Sequence, residues 1–421
     1  MKKHKFALAA LSVAALGGST LVVGAAPVSG AATTQTVTIG SYGDQISTNA
    51  IGLNFGPGIW SGAQSAARAI NKSGIPGRPG VKLKIVTCDT QENPNQVAAC
   101  GREFVAQHAV AVVGSIAAVA TPVSILQSAG IPNIGVEAGA QAADYTNPDS
   151  YPIGDSQYTG SAASVVGVKK LGAKNIWDYT VNDPAATVTA SLVKAAAKAA
   201  GIGYRGEYSE SLSGVTDFTP AVTAAEQAGA QSIDMSTLVS YALGFMKTAD
   251  QLGYHPIYDF TQNIGTPAQN QEIAVLGNNR ITEYGNFPPA NLTGQFPALK
   301  TYVDDMKAEL KAGDQGAVPS NYSPFSITSW LSVHVVEQII EKAPQGTTIT
   351  GTTITNALNS GTSFSLLGLG PNWNPTNHFT SVYPRLSWPY AFVARVNPKG
   401  AGFLLTKNPV SEAHLDWPPS S

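Results

Sequence analysis

The turn Gly114-Ser115 closes the apolar run AVAVVG (109–114), and a short helix-like stretch leads on to a second apolar run, IPNIGV (131–136). A turn at the end of a strand is where backbone N–H groups gather around an anion. This one has no Lys, no Arg and no glycine series, and the phosphate-loop pattern GxxxxGK[ST] is absent from the chain. Hydrolytic chemistry has no local signature either. No serine sits in GxSxG, and the six histidines, at positions 4, 108, 255, 334, 378 and 414, form no HExxH and no closely spaced pair. Carboxylates are sparse, and Asp304-Asp305 reads as a solvated pair on a charged helix face. A catalytic constellation assembled only by the fold stays open as an alternative.

Two cysteines remain, Cys88 and Cys100, without a CxxC motif or a nearby histidine pair, so zinc is not expected. In an exported protein an even pair reads as a disulfide, here tying the end of VKLKIVTC to the following helix; two free thiols are the alternative. Export itself is read from the N-terminus. MKKHK is a basic start, FALAALSVAALGGSTLVVGAA an apolar core and SGAA (29–32) a small-residue exit, the pattern of a secretory leader. The interruption GGST (17–20) argues against the alternative, a retained membrane anchor, and no cysteine near the exit invites a lipid. Removal of residues 1–32 takes Lys2, Lys3 and Lys5 and no acid, which moves the net charge from −2 to −5. Neither nucleic acid nor an anionic membrane is favoured by that balance.

The elements that must position these residues alternate. TVTIGSY (36–42) reads as a strand, and SGAQSAARAINKSG (61–74) as a helix with Ala63, Ala66, Ala67 and Ile70 on one face. VKLKIVT is a strand, NPNQVAACGREFVAQHA a helix opened by Pro94, and AVAVVG and IPNIGV are strands. AVAVVG lacks polar alternation, as expected for a strand covered on both faces. After YPIG (151–154) the rhythm restarts: helix SAASVVGVKKLGA, strand NIWDYT, then a helix with Val188, Leu192, Val193 and Ala196 aligned. DFTP (217–220) opens another helix, SIDMS is a strand, SYALGFMKTADQLGY a helix, and HPIYDFT and RITEYGNF are strands. Helices are expected near 296–312 and 322–343, the second with Trp330, Val333, Val336 and Ile339 turned to a core, and the last strands are YAFVARV and GFLLT. With 421 residues, 42 of them glycine, and only 12% charged, the chain suits two tightly packed α/β lobes.

The series TVTIGSY, SGAQSAARAINKSGIPGRPGVKLKIVTCDTQENPNQVAACGREFV, AVVGS and AGIPNIG resembles the N-terminal lobe of the branched-chain amino-acid (Leu/Ile/Val) binding proteins. These are the substrate-binding components of ABC importers. The likeness runs from about residue 36 to about 405 and includes YPIGDS, where that family crosses between lobes. It implies the type I periplasmic-binding-protein fold: two similar doubly wound parallel-sheet lobes joined by a multi-strand hinge. The lobes would comprise 36–153 with about 286–382, and 154–285 with about 383–410. It further implies a non-enzymatic protein without cofactor or metal that closes on a small molecule and hands it to an ABC permease. The mature protein is expected as a monomer in the periplasm or at the cell surface, not lipid-anchored. A sensory ligand module on the same fold is the runner-up, and a secreted hydrolase the third reading.

Carried over residue by residue, the resemblance puts Phe55 against the ligand side chain and the turn Gly114, Ser115, Ile116, Ala117 around its carboxylate. Glu137, Ala138 and Gly139 occupy the next turn, Phe325 a further aromatic wall, and Ala185, Val239 and Asn263 the second lobe. Several depart from the family. Most hydroxyls of the first turn are gone, Ala185 and Val239 stand where aromatics are common, and Asn263 replaces the acid that meets an ammonium. A zwitterion with one buried charge unpaired loses about 3–5 kcal/mol, a hundredfold or more in affinity. The expected solute is therefore larger or less zwitterionic than leucine: an amide, a cyclic or aromatic compound, or a cation paired with Glu137.

Overall fold

The computed structural model describes residues 34–45, 55–117, 119–136, 141–154, 158–182, 184–261, 265–379, 383–400, 402–405 and 410–411. The expected leader, residues 1–32, lies outside them. β1 (Gln35–Gly43) is followed by α1 (Gly56–Ser73), β2 (Val81–Asp89), α2 (Pro94–Ala106), β3 (Ala111–Val113), α3 (Val123–Ser128), β4 (Asn133–Ile134), α4 (Ala142–Thr146) and β5 (Ser150–Tyr151). A second series follows: α5 (Tyr158–Lys170), β6 (Asn175–Val181), α6 (Pro184–Ala200), β7 (Gly203–Glu210), α7 (Thr219–Gln227), β8 (Ser232–Asp234), α8 (Val239–Leu252), β9 (Ile257–Thr261), α9 (Pro267–Gly277) and β10 (Ile281–Gly285). Then come α10 (Pro297–Lys311), α11 (Pro324–Lys342), α12 (Gly351–Leu358), β11 (Tyr390–Val396), β12 (Gly402–Leu404) and β13 (Val410–Ser411).

Two sheets result, and their strand orders repeat. The first is β2-β1-β3-β4-β5, every pair parallel; the second contains β7-β6-β8-β9-β10, the same order one series later, also parallel. The second sheet is then extended by β11, antiparallel to β10, and by β12 and β13 on β11. The chain thus passes between the lobes three times. It leaves the first after β5, returns after β10 so that α10 and α11 pack on α1, and crosses again to β11. These are two α/β lobes of the type expected, joined by a hinge of several strands.

Local chemistry explains the element ends. Asn93 caps α2, its Oδ1 accepting from Asn95 N (2.9 Å) with Pro94 in the first turn. Reciprocal capping boxes open α9 (Thr266, Gln269), α11 (Ser323, Ser326) and α12 (Thr350, Thr353). The expected face of α1 is buried at Ala63, Ala66, Ala67 and Ile70, and Trp330, Val333, Val336 and Ile339 of α11 enter the first core. On α6, Leu192, Val193 and Ala196 are buried but Val188, expected beside them, is 39% exposed; the buried face runs through Ala186, Ala190, Val193 and Ala197, and Val188 stands outside it. Asp305 also departs from the sequence reading, because it accepts the Trp330 indole N–H (3.0 Å) and is half-buried. The disulfide Cys88–Cys100 is formed, with 5.6 Å between Cα atoms, and joins the end of β2 to α2.

Around the crossings the packing is aromatic. Tyr145 of α4, Tyr158 at the start of α5 and Tyr383 of the third crossing form a triad with ring centroids 4.4–5.4 Å apart. Arg385 lies over the Tyr151 ring and donates from Nε to the Ser150 carbonyl (2.7 Å). Gly154 has φ +86°, and a Cβ there would meet the Asn286 side chain at 2.5 Å, so the first two crossings touch where only glycine fits.

Candidate functional site

In an open parallel sheet of this order, ligands sit beyond the carboxyl ends of the strands at the switch point, where neighbouring connections leave to opposite faces. Here that point lies between β1 and β3 in the first sheet and between β6 and β8 in the second. Phe55 follows β1, Gly114–Ala117 follows β3, Ala185 lies in the first turn of α6 after β6, and Val239 begins α8 after β8. Both switch points are therefore bordered by residues singled out from the sequence. Glu137, Ala138, Gly139 and Asn263 lie outside the described residues.

Three candidates are brought into contact. Phe55, Ile116 and Phe325 form one apolar cluster, with the Phe55 and Phe325 ring centroids 4.8 Å apart. Phe325 reaches it because the Ser323 cap fixes the first turn of α11. Two further residues complete the cluster, Ile59 and Trp60 on the first turns of α1. Helical side chains lean toward their N-terminus, so Trp60 lies back over Gly56, where a Cβ would stand 3.0 Å from its Cζ2. The Trp60 indole Nε1 is buried and has no hydrogen-bond partner among the described residues. Sequence reasoning passed over Trp60; its place four residues after Gly56, in the opening turns of an amphipathic helix, was the available signal.

The Ser115 hydroxyl is fully buried, accepts from Tyr42 N (3.0 Å) and donates to the Val113 carbonyl (3.0 Å). Gly114 N–H donates to Ile134 O (2.9 Å). These groups bind β1, β3 and β4 to one another, so the Ser115 donor is already engaged within the fold. At Gly114 φ is +50° and a Cβ would fall 2.3 Å from Ser329 Cα, so α11 packs directly on the turn. What the turn offers is the Ile116 side chain and the N–H groups of Ser115 and Ala117, which have no acceptor among the described residues.

Beside this wall, Asp44 follows β1. Its Oδ1 accepts from the Thr90 hydroxyl and from Glu92 N (3.0 Å), and its carbonyl accepts Gly56 N (2.7 Å), which ties the strand to α1. Burial pushes the Asp44 carboxyl above the usual carboxylate range, against the Thr90 hydrogen bond. In the second lobe Val239 is half-buried, and the neighbouring Tyr241 donates to Ser211 O (3.0 Å) and meets Phe218 with centroids 6.0 Å apart. Among the described residues no group of three or more His, Cys, Asp or Glu is arranged to hold a metal, and no helix is long and apolar enough to cross a membrane.

The sequence profile of the family described as periplasmic binding protein matches residues 36–400, and the chain belongs to that family. Solved structures of similar fold include a possible leucine/isoleucine/valine-binding protein from Rhodopirellula baltica, 17% identical, with a TM-score of 0.70 over 90% of this chain and 98% of that one. A fatty acid ABC transporter substrate-binding protein from Thermomonospora curvata is 14% identical, with a TM-score of 0.68 over 91% and 94%. A solute-binding protein from R. palustris in complex with benzoate is 15% identical, with a TM-score of 0.66 over 90% and 98%. No curated protein sequence matches the chain.

Proposed function

We propose that the chain is an exported substrate-binding protein of an ABC importer that closes its two lobes on a small amphipathic solute, with an apolar or aromatic body and a hydrogen-bond acceptor. The observation that carries this is the first-lobe wall: Phe55, Ile59, Ile116 and Phe325 form an apolar cluster at a switch point, with the Trp60 N–H, unpartnered among the described residues, beside them. Apolar walls with few polar groups are the usual make-up of small-molecule sites. A buried donor without an acceptor costs free energy, and a solute oxygen placed on it recovers that cost. The N–H groups of Ser115 and Ala117 would take a second polar atom. Benzoate and fatty acid, named for two structures of the same fold, are solutes of this kind.

On this reading lobe one comprises 36–153 with about 286–382 and lobe two 154–285 with about 383–410, in keeping with α10 and α11 packing on α1. The solute favours the closed form through contacts that only both lobes together supply. A thermal-shift screen of the purified protein against aromatic acids, amides, fatty acids and amino acids tests it. A solute at a hundred times its dissociation constant adds about 2.7 kcal/mol. Exclusive tight binding of leucine, isoleucine or valine would refute the solute class, and no response to any member would refute solute binding.

A further inference from the structure

The second lobe holds a row of acids that solute binding does not use. Asp178 of β6 is in register with Asp234 of β8, Asp234 with Asp259 of β9, and Asp259 with Thr282 of β10. In-register residues of parallel strands point to the same face about 4.8 Å apart. That face is covered by α5 and α6, since Ile176, two residues before Asp178, packs with Ala162 and Val165 of α5 and Val193 of α6. All three aspartates are at most 2% exposed.

Their partners are hydroxyls. Ser164 of α5 donates to Asp234 Oδ1 (2.8 Å), Ser236 to Asp234 Oδ2, Thr282 to Asp259 Oδ1, and Tyr204 of β7 to Asp178 Oδ2 (3.0 Å). Asp178 Oδ1 and Asp259 Oδ2 are buried without a partner among the described residues. Among the described residues no base acts on the row. On α5, Lys169 donates to Ala200 O (2.6 Å) and Lys170 is exposed; Lys194 and Lys198 of α6 and Arg205 of β7 are exposed; Arg395 of β11 donates to Asn279 O (2.7 Å). The other charges nearby, Glu207 of β7 and Glu283 of β10, are acids. Three adjacent carboxylates cannot all be ionised in such surroundings. Burial first, and then the Asp234 charge, raise Asp178 and Asp259, and burial raises Asp234.

We propose that this row is a proton-loaded element: the folded second lobe keeps at least two of Asp178, Asp234 and Asp259 as neutral carboxylic acids, so its stability follows the acidity of the medium. The sign follows from linkage. The folded state binds protons that the unfolded chain releases above its ordinary carboxylate value of 3.8. The stabilisation is complete below that pH and is lost as the pH rises through the folded values. An exported protein meets the pH of its surroundings directly, and this lobe would be firmest in acid.

The test is equilibrium urea unfolding of the whole protein between pH 5 and 8. For each proton released, the unfolding constant rises about tenfold per pH unit. Asp259→Asn, which keeps the shape and removes one of the proton-holding acids, is expected to lower that slope by about one tenfold step per unit, whereas Asp304→Asn on the exposed face of α10 leaves it unchanged. Stability that is flat or rises with pH in the unsubstituted protein overturns the proposal, as does an unaltered slope in Asp259→Asn. If that variant does not fold, the unsubstituted protein still decides: the infrared carbonyl stretch of protonated carboxyls must be present at neutral pH and vanish on unfolding, and its absence overturns the proposal. Neutral-pH stability restored by added Na⁺ or Ca²⁺ would make the row a cation site and overturn it equally.

Discussion

Trp60→Phe separates solute recognition from packing. The substitution keeps an aromatic ring against Phe55, Ile59, Ile116 and Phe325 and removes the indole N–H, a buried donor with no acceptor among the described residues. Without solute, relief of an unsatisfied donor gains about 1–3 kcal/mol, offset by the smaller ring's lost contacts at about 1 kcal/mol, so the melting temperature should hold or rise slightly. With solute, the lost hydrogen bond is worth about 0.5–1.5 kcal/mol, a weakening of about two- to thirteenfold. Urea unfolding of the free protein and calorimetric titration with the best solute of the screen supply the two numbers. The opposite signs are the signature. A free protein weakened by more than about 2 kcal/mol with unchanged affinity would mean that the N–H belongs to the fold, and the recognition argument would fail.

Phe325→Ala removes a wall that is 7% exposed and should cost both stability, by about 3–5 kcal/mol, and solute affinity, measured by the same two assays. Gly114→Ala places a Cβ on Ser329 Cα in a left-handed backbone, and a loss of more than about 2 kcal/mol in chemical unfolding is expected. Reduction of Cys88–Cys100, whose partners are 12 residues apart, removes a constraint worth about 3 kcal/mol, read as a lower urea midpoint in dithiothreitol that a Cys88→Ser/Cys100→Ser double variant reproduces. Burial pushes the Asp144 carboxyl up to about 7 against the Thr121 hydrogen bond. The stabilisation from its bound proton is therefore complete below about pH 4 and lost toward pH 7, and Asp144→Asn should flatten that part of the stability–pH profile.

Much of the architecture was legible because buried parallel strands and amphipathic helices carry strong periodic signals, as AVAVVG and the Ala63–Ile70 face do. β7 was missed since GYRGEYSE is an edge strand whose residues before Glu210 alternate exposed and half-buried, with no apolar run to mark it. The antiparallel β11 and β12 were read as strands, but their direction depends on the third crossing, which no local pattern encodes. At the site, the family resemblance singled out Phe55 and Phe325, which the fold brings into contact, while the hydrogen bonds of Ser115 depend on which backbone groups come within its reach. The acid row lay wholly beyond sequence reading. Asp178, Asp234 and Asp259 each look like one polar residue inside an apolar strand, and only register places them side by side.

Small-angle X-ray scattering of the protein with and without the solute that most raises its melting temperature tests the central claim most directly. Closure of two lobes over the solute predicts a smaller radius of gyration at saturation and a return to the free value when the solute is dialysed away. A radius unchanged under demonstrated saturation would contradict capture by closure.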